Sequence, residues 1–262
     1  MKGFEDIIIT DDSEVQEETE CVKPSCKKPH LGSKTVHVAF IMDHSGSMTI
    51  QQELARDNYN EQLATLKQNS GDIDTYVTLV EFDNRIIVKY ENKLIDDIKP
   101  EKDYWTDGLT SLNDAIFRGI KLLEKSMKND TCEDKSALMV IMTDGHENSS
   151  KELVGIKGRD LIKKEIGELE KTGEWAFTFM GAGIDVQDVA IDGYGMSRGN
   201  TLSFNADSDG FKMSGGSAKN GIETYYSARL GGAKTVADFH VGNTTVDEVQ
   251  TTSNKVKEDK PV

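Results

Sequence analysis

The sequence predicts an α/β protein built on a doubly wound, mostly parallel sheet with helices on both faces and one antiparallel edge strand. Three observations carry this. The run over 35–42 is rich in apolar and β-branched residues, interrupted only by His37, and 137–142 is fully apolar, as strands buried on both faces are. Between such runs lie stretches with apolar residues at helical spacing, and strands that alternate with helices specify a parallel sheet covered on both sides. Two further β-rich runs, 75–82 and 85–90, are separated only by Asp83 and Asn84. That is a hairpin signal, and one of its strands has to run antiparallel at the sheet edge.

Taken in order, residues 1–20 carry eight acidic residues against one basic residue, Lys2. A charge block of this kind reads as a solvated arm. Phe4 and Ile7 to Ile9 form an apolar spot within it that is able to add as a strand to a partner's sheet edge. Residues 21–34 reverse the sign and contain Pro24 and Pro29, so 1–34 is expected to be a flexible arm and linker. The folded domain is expected over 35–230. Thr49 to Asn69 lacks Pro and Gly and spaces Leu54, Tyr59, Leu63 and Leu66 as a helix does, until Gly71 and Asp72 end it. After the hairpin, 94–105 is polar and irregular. A helix is expected over 112–127 on the stripe Ile116, Ile120 and Leu123, then the strand 137–142, and a helix over 160–171. A strand over 174–180, a short helical stretch over 185–194 and a strand over 201–205 follow. Asp207 is placed to cap a last helix reaching about Leu230. From 231 to 262, Gly, Thr and charge replace periodicity, so a largely flexible extension is expected, with 233–241 as a candidate small strand.

Composition narrows the functional classes. The net charge of −15 argues against non-specific nucleic-acid binding and favours cations or basic partners. No apolar run reaches membrane-spanning length, and the acidic N-terminus lacks the basic start and apolar core of a signal peptide. The expectation is a cytoplasmic protein, or a virion-associated one if its origin is a phage. Cys21, Cys26 and Cys132 are an odd set in a large chain, which disfavours a disulfide framework. Cys21, Cys26 and His30 lack a full tetrahedral ligand set and read as free thiols and a histidine in a linker rather than a zinc site.

The candidate chemistry sits where the apolar run 35–42 stops, in Asp43-His44-Ser45-Gly46-Ser47. The carboxyl ends of parallel strands are where open α/β sheets bind ligands. One carboxylate and two hydroxyls at alternate positions can converge on a hard cation, while Ser47 or Thr49 can instead cap the following helix. Two other loops compete for the same place: one carries Thr110, and Asp144 leaves the end of the second apolar strand. Two carboxylates with three neutral oxygens suit an octahedral ion such as Mg²⁺ that keeps waters or an open position.

Together these elements closely resemble the metal-ion-dependent adhesion site of von Willebrand factor type A domains. Asp43-His44-Ser45-Gly46-Ser47 matches the D-x-S-x-S element without departure, Gly108-Leu109-Thr110-Ser111-Leu112 resembles the second and Thr143-Asp144-Gly145 the third. The resemblance covers about 35–230 and implies a Rossmann-like sheet. It also implies a Mg²⁺ ion, with Mn²⁺ or Ca²⁺ as alternatives, held by Asp43, Ser45, Ser47, Thr110 and Asp144. An acidic side chain, Asp or Glu, of a protein partner would take the vacant position. The single domain with short tails is more similar to compact bacterial and phage members, which fits a virion or assembly component. The alternative is a partner subunit of an AAA+ ATPase, chelatase-like or chaperone-like.

The surrounding residues give weaker signals. His44 is able to tune the site by protonation but is expected to be an exposed bystander. His146, Glu147 and Asn148 either support the site or form a plain surface loop. Asp114 is placed to orient the Thr110 loop, and Asp107 is a turn residue. No nucleophile elbow, Walker loop or dinucleotide fingerprint follows a strand, so no catalytic residue is assigned. An Mg²⁺-dependent hydrolase would need a base and a phosphate-gripping Lys or Arg beside Asp43 or Asp144, and the sequence shows neither there.

Overall fold

The computed structural model describes residues 34–240. The readings made for the acidic arm, for Cys21, Cys26 and His30, and for 241–262 fall outside the described residues.

The first apolar run forms β1 (Lys34–Asp43), with every residue after Lys34 buried, as a strand with neighbours on both sides and helices on both faces requires. It pairs in parallel with β2 (Ile73–Phe82) on one side and β4 (Lys135–Thr143) on the other. β4 pairs in parallel with β5 (Trp175–Ala182), and β5 with β6 (Thr201–Phe204). The hairpin is as expected: β3 (Ile86–Leu94) runs antiparallel to β2 and ends the sheet, whose order is β3-β2-β1-β4-β5-β6.

Alternation along β1 assigns its two faces. Val36, Val38, Phe40 and Met42 join the cluster formed with Tyr59, Leu63 and Leu66 of α1 (Gln52–Ser70) and Ile222, Tyr225 and Tyr226 of α4 (Ser208–Leu230). Ile41 points the other way, against Gly119 of α2 (Leu112–Asn129), which packs beside α3 (Gly155–Lys171). Asp207 caps α4 as expected, its side chain accepting from the Gly210 amide at 2.8 Å.

Three details differ from the expectation. α3 begins at Gly155 rather than 160, because its first turn buries only Gly158 and leaves Val154 and Ile156 exposed, which hides the apolar period. The stretch expected over 185–194 is a π-helical turn, Gln187–Gly193. The small strand expected over 233–241 does not form among the described residues 233–240. There Phe239 packs against the Gly221 turn of α4, and the His240 amide bonds the Gly199 carbonyl at 2.9 Å, a docked segment without a ladder.

Candidate metal centre

β1 and β4 are parallel neighbours, so Asp43 at the end of one and Asp144 just past the other leave the sheet side by side. The chain after β1 turns through a short 3₁₀ segment, Gly46–Ile50, before α1. That turn presents Ser45 and Ser47 on one side. Their hydroxyls lie 3.0 Å apart, and Ser47 Oγ donates to Asp144 Oδ1 at 2.6 Å. Asp43 and Ser45 are buried, Asp144 is half-buried and Ser47 is exposed, so the group opens from the sheet towards solvent.

The third loop is fastened to the first by main-chain bonds. The Gly46 amide donates to the Gly108 carbonyl at 3.1 Å, and the Asp107 amide to the His44 carbonyl at 2.9 Å. Gly108 sits at φ +71, and a Cβ there would come within 2.2 Å of Asn84 Oδ1, so glycine is needed on both counts. Thr110 then reaches the space over Gly145. A Cβ on Gly145 would lie 3.0 Å from Thr110 Oγ1 and 3.7 Å from Asp43 Oδ2, which places the hydroxyl and the carboxylate on one small volume. Asp43, Ser45, Ser47, Thr110 and Asp144 are thus brought together.

Burial, the largest influence, raises the Asp43 carboxyl from 3.8 to about 6 despite hydrogen bonds from Thr143 Oγ1 and from the side chain and amide of Ser45, and the nearby Asp144 carboxylate pushes it further the same way. Burial also raises Asp144, against the bond from Ser47. Among the described residues, neither carboxylate makes an ion pair with a lysine, arginine or histidine. Two desolvated acids, three hydroxyls and no protein cation form a set of hard oxygens suited to Mg²⁺, Mn²⁺ or Ca²⁺. The donor set fits a divalent ion that keeps an open position.

Supporting residues come from loops that sequence order does not link. Asn148 Oδ1 accepts from the Thr110 amide at 2.8 Å, and the Thr110 carbonyl accepts from the amides of Asn148 and Ser149. Glu147 accepts from the amides of Asn113, Ser149 and Ser150 and from Ser150 Oγ. Asp114 accepts from the amides of Lys151, Glu152 and Leu153. Asn148 therefore supports Thr110 directly, Glu147 ties its own loop to the first turn of α2, and Asp114 orients the 150–153 segment rather than Thr110 itself. Asp107 is a turn residue, accepting from the Gly108 amide.

His44 is not an exposed bystander. It is 1% exposed, lies against Tyr104 with ring centroids 3.9 Å apart, and meets the edge of Trp105. Burial lowers its pKa to about 4, so it is neutral at pH 7. Tyr104 also donates its hydroxyl to the Asp43 carbonyl. The end of the polar stretch 95–106, from Tyr104 to Thr106, lies against the site, a placement that no local pattern announces. Thr143 was likewise read only as part of a motif, although its hydroxyl is a direct partner of Asp43.

No family model matches this sequence. The chain is 27% identical over 176 residues to inter-alpha-trypsin inhibitor heavy chain H3 of Bos taurus, a match that takes in 62% of this chain and 18% of that protein. The fold is similar to that of the pilus adhesin SpaC of Lactobacillus rhamnosus GG, with a TM-score of 0.54 and 14% identity over 74% of this chain and 31% of that one. It is also similar to a D319A mutant of the PilB minor pilin of Streptococcus sanguinis, with a TM-score of 0.52 and 15% identity over 78% of this chain and 64% of that one. This chain thus spans only part of each of these proteins. Its sheet order and the D-x-S-x-S loop at the end of β1 agree with the type A resemblance drawn from the sequence.

Proposed function

We propose that this chain is a metal-dependent protein-interaction module. Asp43, Ser45, Ser47, Thr110 and Asp144 would hold a divalent ion, with Mg²⁺ the best match to the oxygen donors. An acidic side chain of a partner would complete its coordination. The observation that carries the reading is the pair of desolvated carboxylates, Asp43 and Asp144, with no counter-cation among the described residues. Bound there, the ion supplies a Lewis-acidic position facing solvent. The chain's own residues orient the oxygens and shield the inner ones from water.

The rim favours a protein partner over a small substrate. Ile50, three residues beyond Ser47, is 89% exposed, and Leu109, beside Thr110, is 56% exposed. Trp105 is also exposed, and a 2.9 Å contact between the hydroxyls of Thr49 and Thr106 joins the loops carrying Ile50 and Trp105. Apolar side chains grouped around a polar centre are the anatomy of an interaction face. Hydrolytic chemistry would need a cationic grip on the leaving group, and no described lysine or arginine pairs with Asp43 or Asp144.

Calorimetric titration with Mg²⁺, Mn²⁺ and Ca²⁺, together with thermal unfolding in Mg²⁺ and in EDTA, tests the ion. Capture of binding proteins by wild type and by Asp43→Ala, each with and without Mg²⁺, tests its use. The reading fails if EDTA leaves the thermal midpoint unchanged and Asp43→Ala captures the same proteins.

A further inference from the structure

A cavity of about 200 Å³ opens beside the loop that carries Asp144, lined by His146, Glu147, Arg159, Asp188, Val189 and Tyr194. The same loop supports Thr110 through Asn148, so the cavity and the metal centre share a wall. Two of the polar side chains in the cavity are already engaged. Glu147 accepts four hydrogen bonds, and the Tyr194 hydroxyl donates to Asn113 Oδ1 at 2.7 Å.

Arg159 is the cation among the others. Its stem lies against Gly193, where a Cβ would stand 3.3 Å from Arg159 Cδ. Its Nε is fully buried and has no hydrogen-bond partner. Among the described residues its guanidinium forms neither an ion pair nor a hydrogen bond, whereas Arg56, Arg85 and Arg229 each pair with an aspartate. The buried Nε is out of reach of the cavity, but the terminal nitrogens of a guanidinium that lines a cavity without an internal acceptor bind an oxyanion with directional bonds. Glu147 is satisfied by amides and a hydroxyl, so it does not serve as that acceptor. Asp188 is exposed, and its charge opposes an incoming anion.

We infer that this cavity is a carboxylate subsite in which Arg159 receives a second acidic group of the partner whose first acidic group completes the metal. The second half of that statement rests on the interaction reading above; the subsite itself does not. A partner that fits carries two acidic side chains, or one and its terminal carboxylate, on a single segment. Asp188 keeps the affinity of the subsite for an isolated carboxylate low, which selects for a partner already tethered through the metal.

The test starts without metal. Sodium acetate is titrated into the ¹⁵N-labelled full chain in EDTA, with ionic strength held constant by sodium chloride, and the arginine Nε–H signals are followed by NMR. The Arg159 signal is the one missing from Arg159→Gln. It is expected to move saturably with acetate, and Asp188→Asn is expected to lower the half-saturating concentration about threefold by removing the opposing charge. In Mg²⁺, a peptide with two aspartates is expected to bind about fivefold more tightly than one with a single aspartate, and Arg159→Gln to remove that factor alone. An Arg159 signal that follows acetate no more than those of Arg56 and Arg85, with no effect of Asp188→Asn, overturns the subsite whatever Mg²⁺ does. A saturable acetate shift in a chain that binds no Mg²⁺ upholds the subsite and removes the interaction reading instead.

Discussion

The two ends of the sheet handle buried charge in opposite ways. At the amino end, Arg229 of α4 is fully buried, but its guanidinium donates to Asp134 Oδ1 at 2.8 Å and to the Asp134 carbonyl at 2.9 Å, with the Thr35 and Ala233 carbonyls beyond. Lys34 joins the same aspartate at 2.5 Å. Partial burial works against the Asp134 charge, yet the bonds from Lys34 and Arg229 carry its pKa below the ordinary value. At the carboxyl end, Asp43 and Asp144 are desolvated and their pKa values move up. At one end the opposite charges are paired within the chain, although Arg229 Nε keeps no partner, and at the other the two carboxylates have no cation among the described residues. A fold that pairs the buried charges at one end has no packing reason to leave like charges together at the other, which is why the second reads as a binding site.

The largest expected effect belongs to the closed end. Asp134→Ala strands a buried guanidinium and should cost about 3 kcal/mol, the low end for such a loss because three carbonyls remain. For a domain of this size that is a fall of about 6–12 °C in thermal midpoint. The fall should be the same in Mg²⁺ and in EDTA, and a dependence on metal would break the contrast between the ends. At the open end the pattern reverses. At a hundred times its Kd, Mg²⁺ should add about 2.7 kcal/mol to wild type. Asp43→Asn should abolish that gain, yet change stability by less than that in EDTA, because losing an uncompensated charge offsets weakening the bonds that the carboxylate accepts from Thr143 and Ser45. Marked destabilisation in EDTA would show that Asp43 is a structural acid.

The dependence on pH sharpens the same point. In the metal-free chain the Asp43 pKa is raised from 3.8 to about 6, so the folded state holds the proton more tightly than the unfolded state. Its contribution to stability is therefore present at low pH and is lost as pH rises through about 6. Between pH 5 and pH 7.5 the loss is about 1.4 kcal/mol. His240, buried and lowered to about 3, acts with the opposite sign, destabilising the fold as pH falls below 6.5. Comparing wild type with Asp43→Asn in EDTA at each pH cancels His240 and isolates Asp43. A flat difference between pH 5 and pH 7.5 would mean that the carboxylate is solvated after all.

What could be read in the sequence follows the range of the interactions involved. β1 and β4 are recognisable because burial on both faces leaves an unbroken apolar run, and their adjacency follows from the parallel arrangement. That was enough to place Asp43 and Asp144 together. Thr110 is a candidate from loop placement, strengthened by the family pattern, but what fixes it is not legible locally, since its position depends on main-chain bonds between the Asp43 loop and a loop about 60 residues later. The burial of His44 is hidden from the sequence for the same reason: it is produced by Tyr104 and Trp105, which a polar, irregular stretch delivers. Arg159 gave no signal at all. It lies in the first turn of α3, where the apolar period is broken, and its missing partner is visible only once Gly193 and Glu147 surround it.

The smallest effect separates support of the site from support of the fold. Asn148 is exposed, and its side chain accepts only the Thr110 amide among the described bonds. Removing it should cost less than about 1 kcal/mol in EDTA, as exposed substitutions generally do. Thr110 would then lose the bond that fixes its amide, though its carbonyl would still be held by the amides of Asn148 and Ser149, so the hydroxyl should wander rather than leave. Groups that orient a ligand from behind typically change metal affinity by about tenfold or more, and the retained main-chain bonds place Asn148→Ala near that lower value. Titration of Mg²⁺ into this variant therefore distinguishes the two ends at their finest: affinity falls while metal-free stability holds. An equal loss in both would make the 146–150 loop part of the scaffold, and Thr110 a packing residue instead of a ligand.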